Sequence, residues 1–212
     1  MARIELWNGD ICDLEVDAIV SPAATSMWMS TGVAGELKRR GGDAIEYAAL
    51  KFAPVGIGDA VVTPAGLLAA RFVIHAVSLE RDRRTSGPAI DRAARSAMAR
   101  ARELGIASLA MPALGTGIGG FPLEEAAFIA VDAIRDELAT PSSIEHVIFA
   151  LRGAAAYEAF ARALAAGDPA PTRSLLTPAS RQVAGPGAPT AATPSLAPAA
   201  PIPPARQTDA PA

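Results

Sequence analysis

An α/β fold, with helices on both faces of a largely parallel sheet, is the architecture this sequence predicts, and two observations predict it. Over most of the chain, short apolar runs bounded by turn residues alternate with segments whose apolar residues recur at helical spacing. One junction, Leu109 to Pro122, reads as strand, loop and helix: Leu-Ala-Met-Pro-Ala-Leu-Gly-Thr-Gly-Ile-Gly-Gly-Phe-Pro. Its glycines, Gly115, Gly117, Gly119 and Gly120, can take positive φ and bring backbone N–H groups against a ligand. Pro122 fits a first helical position, and Glu124 and Glu125 fit the first turn. The loop is therefore expected to face the positive end of a helix, a setting that suits phosphate. The simpler alternative is a plain tight turn.

In chain order, Arg3–Trp7 alternates polar and apolar residues like a half-buried strand, and Asn8-Gly9-Asp10 ends it in a turn. Asp17 leads into Ala18-Ile19-Val20, a buried strand bounded by Ser21-Pro22, and a loop from Ala23 to Gly32 follows. That loop carries Met27, Trp28 and Met29, large apolar residues that either wall a site or pack beneath it. Val33 to Arg40 reads as a helix stopped by Gly41-Gly42. Asp43 followed by Glu46 resembles a capping box opening a short helix to about Phe52.

Strands are expected over Asp59–Pro64 and Arg71–Val77, with Ala65-Gly66 turning between them. Gly87-Pro88 opens a helix to Leu104 with Ile90, Ala94, Ala97, Met98 and Ala101 on one face and Arg92, Arg95, Arg100 and Arg102 solvated. After the glycine loop come a helix to Leu138, a strand over Ile144–Leu151 and a closing helix over Ala154–Ala166. Asp10, the Ser21–Gly32 loop and the Gly115–Gly120 loop all follow strand ends, where ligands bind in sheets of this kind.

Half of the 212 residues are hydrophobic, enough for one domain with a core over residues 1–166. Residues 167–212 hold eleven of the 18 prolines among alanine, serine and threonine, and so predict a disordered tail. A net charge of −3 with dispersed arginines argues against nucleic acid as a main partner. No run reaches the roughly 18 apolar residues of a membrane span and no leader is evident, so a cytoplasmic setting with no membrane partner is expected. The single cysteine, Cys12, excludes an internal disulfide and reads as structural. His75 and His146 also read as structural, with no partner pattern for a triad; no metal site and no cofactor are expected.

Six segments in order resemble the macro domain, the ADP-ribose-binding α/β module. They are Asn-Gly-Asp-Ile (8–11), Val-Asp-Ala-Ile-Val (16–20), Gly-Val-Ala-Gly-Glu-Leu (32–37), Phe-Val-Ile-His-Ala-Val (72–77), the 112–122 glycine loop and Val-Ile-Phe-Ala-Leu (147–151). The resemblance implies a three-layer α/β/α fold around a mixed sheet, and ADP-ribose or ADP-ribosylated protein as ligand. It gives Asp10 the adenine amino group, with the Ile11 backbone beside it. A carboxylate at a strand end is chemically suited to that acceptor role, although a turn-forming aspartate would read the same way. Gly32 and Val33 match the first phosphate-binding segment. Gly115, Thr116, Gly117, Ile118 and Gly119 match the second, around the diphosphate and distal ribose.

Three positions depart from the family pattern. Most family hydrolases carry Asn-Ala-Ala-Asn after the second strand, where this chain has Ser21-Pro22-Ala23-Ala24, so Ala24 replaces the ribose-orienting amide. Many place an acid where Ala34 stands, and no side chain there can activate water. An adenine-stacking aromatic is replaced by Arg152, which either stacks its guanidinium on the base or is a solvated surface residue. These losses favour an ADP-ribose binder over the alternative, a hydrolase of ADP-ribosylated protein or of O-acetyl-ADP-ribose. Gly115, Gly117 and Gly120 also satisfy the dinucleotide fingerprint, but no acid ends the next strand, which finishes Leu151-Arg152-Gly153.

Overall fold

The computed structural model describes residues 2–82 and 84–166. The strands are β1 (Arg3–Asn8), β2 (Ala18–Ala24), β3 (Ala60–Pro64), β4 (Phe72–Leu79), β5 (Ser108–Met111) and β6 (His146–Leu151). The helices are α1 (Gly32–Gly41), α2 (Ala44–Leu50), α3 (Gly87–Glu103), α4 (Leu123–Leu138) and α5 (Ala154–Ala165). The proposed tail, 167–212, lies outside the described residues.

The strands form one mixed sheet in the order β1-β6-β5-β2-β4-β3, parallel throughout except for β3, which pairs antiparallel with β4. β4 and β6 are buried along nearly their whole length because helices cover both faces, which is why they read as unbroken apolar runs. On one face α3, α4 and α5 pack with Val20, Ile74, Met111 and Phe149. On the other, α1 and Ile45 of α2 pack with Ile19, Val73, Ala110 and Ile148. Phe160 of α5 meets Phe149 of β6 with ring centroids 4.8 Å apart, and each buried ring of this size contributes about 1.5–3 kcal/mol.

β2 continues through Ser21 and Pro22 to Ala24, beyond the expected stop at Val20. A proline is tolerated there because β5 pairs only with Ala18 and Ile19, leaving that side of Pro22 without a ladder neighbour. Asp17 clamps the start of β2 to β5: its Oδ2 accepts from the amides of Ala107 and Ser108 and from the Ser108 hydroxyl, each at 3.0 Å.

Three local expectations are corrected. Pro122 stands at the N-cap of α4 with ψ 127°, one residue outside the helix. Asp43 makes no side-chain cap to α2. Glu46 is drawn away from any capping box because its buried carboxylate accepts from the Met29 amide at 2.7 Å and from Lys38 Nζ at 2.6 Å. Arg95 and Arg102 bridge α3 to α4, Arg95 reaching Asp136 at 2.8 Å and Arg102 reaching Glu137, while Arg92 and Arg100 do stay outward.

Candidate functional site

A cleft of about 490 Å³ opens along the carboxyl ends of the parallel strands. The β1/β6 end of the sheet order supplies Gly9, Asp10, Ile11, Ala150, Leu151 and Arg152. The middle is the loop after β5, from Pro112 to Gly119, and the β2/β4 end supplies Pro22, Leu79 and the start of α1. All ten residues singled out in the sequence, Asp10, Ile11, Gly32, Val33, Gly115, Thr116, Gly117, Ile118, Gly119 and Arg152, line this one cleft.

The glycine loop is shaped by its own backbone. Gly115 and Gly120 sit at φ 76° and 60°, and the Phe121 amide donates back to Gly115 O at 3.1 Å, closing the loop on itself. A Cβ on Gly119 would lie 2.7 Å from Gly115 O, so no side chain fits. Among the described residues no backbone carbonyl accepts from the amides of Thr116, Gly117, Ile118 and Gly119. This closure also corrects an expectation: no residue of α4 lines the cleft. Two helices present their first turns to the cleft: α5 through Ala156, and α1 through Thr31, Gly32, Val33 and Ala34, where Thr31 gives no side-chain cap. The first amides and partial positive charge of α1 are thus directed at the same space as the loop amides.

At the β1/β6 end, Asp10 Oδ1 accepts from the Cys12 amide at 3.0 Å and Oδ2 from Arg152 Nη2 at 2.6 Å. Burial pushes the Asp10 carboxyl up, but the Cys12 hydrogen bonds and the Arg152 and Arg40 cations outweigh it and hold it below the usual range. Arg152 is exposed over most of its side chain and pairs with Asp10. Burial, and then the Asp10 charge, push the Cys12 thiol up to about 12, which removes it as a nucleophile. His75 is fully inside the sheet with Nε2 2.9 Å from Thr63 Oγ1, and His146 pairs with Glu5 at 2.9 Å. Neither histidine lines the cleft, and among the described residues no group of three or more His, Cys, Asp or Glu could hold a metal ion.

Sequence reading missed Pro22, Thr31, Glu36, Leu79, Pro112 and Ala113 as cleft residues. Pro22 and Leu79 were hidden because they sit inside β2 and β4, whereas Thr31 had a signal in standing just before the Gly32 helix start. Glu36 is a carboxylate in the cleft, but its partner Arg39 Nε lies 3.0 Å away and holds it below the usual range, and the next charges it feels are Asp10 and Arg152. The β2/β4 end is lined by Pro22, Thr31, Ala34, Leu79 and Ile118, without any acid, imidazole or thiol.

The chain was compared with known proteins. The Macro domain family model matches residues 20–130. An uncharacterized Mycobacterium bovis protein is 42% identical over 168 residues, covering 79% of this chain and 46% of the relative, so the chain spans under half the length of that relative. A macro domain-containing protein of Streptomyces nogalater is 40% identical over 174 residues, covering 77% of this chain and 93% of the relative. The crystal structure of the Trypanosoma brucei macrodomain in complex with ADP-ribose superposes with a TM-score of 0.71 at 26% identity, covering 76% of this chain and 68% of that one. With its six-stranded mixed sheet, its helices on both faces and its cleft at the strand ends, this chain belongs to the Macro domain family.

Proposed function

We propose that this chain binds ADP-ribose, free or attached to protein, and turns it over slowly or not at all. The observation that carries this reading is the cleft itself: a fixed carboxylate at one end and two groups of open backbone amides further along it. In this reading Asp10 accepts from the adenine amino group, with the Ile11 backbone beside it. A carboxylate oxygen has room for a second donor, so its bonds to Cys12 and Arg152 leave acceptor capacity for the base. Arg152, exposed for most of its length, lies against the base from the Asp10 side. The diphosphate rests on the N-terminus of α1 at Gly32 and Val33 and on the amides of the Gly115–Gly119 loop. The similar Trypanosoma brucei macrodomain, solved with ADP-ribose, supports the choice of ligand.

The distal end lacks a group to activate water. Ala24 and Ala34 stand where hydrolases keep an amide and an acid, and the Glu36 carboxylate is engaged by Arg39. Of the hydroxyls beside that stretch, Ser21 is fully buried and Thr25 lines neither this cleft nor its continuation, which leaves a phosphate oxygen of the ligand as the alternative. Removal of a general base lowers turnover by about 10²- to 10⁴-fold and leaves contacts made through backbone amides intact.

The test is single-turnover hydrolysis of an ADP-ribosylated protein by the unmodified chain, beside the double replacement Ala24→Asn with Ala34→Asp. Slow or absent release, raised by the double replacement, is the expected result. Rapid release by the unmodified chain would favour the hydrolase reading instead.

A further inference from the structure

Beyond Ile118 the cleft continues into a second hollow of about 470 Å³, which begins at Ala24 and Ala34 and extends past them along Ser26, Trp28, Ser30 and Arg81. It shares Pro22, Thr31, Ala34, Leu79 and Ile118 with the first and adds Ala24, Ser26, Trp28, Ser30 and Arg81. In the sheet order the first cleft runs from β1/β6 toward β2/β4, so the second hollow lies past the end opposite Asp10.

The wall of this hollow is held in place from beneath. Met27 and Met29 are buried at 1% and 3% exposure, and Trp28 between them is 62% exposed. Met27 adopts φ 61°, a conformation that residues with side chains seldom take and that persists only where the surroundings impose it. The imposing contacts are the Met27 amide on Ala24 O at 2.9 Å and the Met29 amide on the buried Glu46 carboxylate at 2.7 Å. An indole turned to solvent between two anchored neighbours presents a planar apolar face and one N–H donor at a fixed position. Arg81 supplies a cation to the hollow, Ser26, Ser30 and Thr31 supply hydroxyls, and among the described residues no acidic one lines it.

We infer that this second hollow is a subsite for the polypeptide to which ADP-ribose is attached, and that it favours acidic residues beside the modified one. The inference rests on the proposed ADP-ribose site and specifies its substrate. With the adenine at Asp10, the distal ribose and whatever it carries leave the first cleft toward Ala24 and Ala34. A peptide continuing from there runs between Trp28 and Arg81. One guanidinium matches one carboxylate in a two-point contact, and the indole covers the apolar stem of the same side chain. A nucleic-acid chain fits less well, since it presents a phosphate at every nucleotide and, among the described residues, one cation lines the hollow, on a chain of net charge −3.

The experiment uses the full chain and fluorescence anisotropy with three probes: a peptide carrying ADP-ribose on a serine flanked by two glutamates, the same peptide with glutamines, and a DNA oligonucleotide carrying ADP-ribose on its terminal phosphate. Free ADP-ribose affinity is measured alongside by calorimetry. Trp28→Ala and Arg81→Glu should each weaken the glutamate probe by about threefold to tenfold, with free ADP-ribose unchanged. Arg81→Glu should also erase the preference for glutamate over glutamine flanks. Equal losses for probe and free ligand, no loss for either, or tighter binding of the oligonucleotide than of the glutamate peptide would each overturn the inference. Failure of the unmodified chain to bind free ADP-ribose would overturn the proposed function beneath it. Melting temperatures close to that of the unmodified chain verify that both variants fold.

Discussion

Asp10 stands out in the sequence through the resemblance to the macro domain, since a turn-forming aspartate reads the same way and its side chain does cap the turn at Cys12; its pairing with Arg152 is not legible there, because it joins positions 142 residues apart. Replacing Asp10 with alanine should weaken ADP-ribose by about 1.5–3 kcal/mol, the scale of a hydrogen bond to a charged group, and calorimetry that found unchanged affinity would remove Asp10 from the site. His75 leads to a separate expectation. Burial lowers its ring from 6.5 to about 4, with Nδ1 left without a partner among the described residues. Below pH 6.5 the unfolded chain takes up a proton that the folded chain refuses until about pH 4, so stability falls as pH drops through that window. At about 1.4 kcal/mol per unit the full loss is roughly 3 kcal/mol. Urea unfolding at several pH values should show this slope in the unmodified chain and a flatter one in His75→Gln. The carboxylates of Asp10 and Asp17 are held below 3.8, so the stability they add is lost only at still lower pH.

At the scale of elements, the helices and most strand positions follow from periodicity, while the discrepancies come from contacts between elements that periodicity does not encode. Glu46 illustrates this. Three residues after Asp43 it has the spacing of a capping box, yet its carboxylate serves the Met29 amide and Lys38, contacts that span the loop before α1, α1 and α2. Glu46→Ala should cost about 1–3 kcal/mol, the usual loss when a buried donor such as the Met29 amide is left without its acceptor, and should loosen the Trp28 loop. Hydrogen exchange at Met29 measured beside the melting temperature would check both effects. The open, glycine-shaped form of the loop after β5 was readable from its residues; the helix start that shares its cleft was not, since only the folded topology brings the start of α1 to the same cleft.

For the whole molecule, the hydrophobic clusters of the described residues run from Ile4 to Leu164, and the sequence of residues 167–212, rich in proline and alanine, offers few large apolar side chains to add to them. A chain ending at Ala166 should therefore keep its melting temperature and its ADP-ribose affinity, and a large loss of either would give residues 167–212 a role in the fold or the site. The most direct measurement of the central claim is a calorimetric titration of the chain with ADP-ribose beside one with AMP. Saturable one-to-one binding of ADP-ribose, with AMP clearly weaker because it leaves the Gly115–Gly119 amides less engaged, is the expected result. No heat with ADP-ribose, or equal affinity for the two ligands, would contradict it.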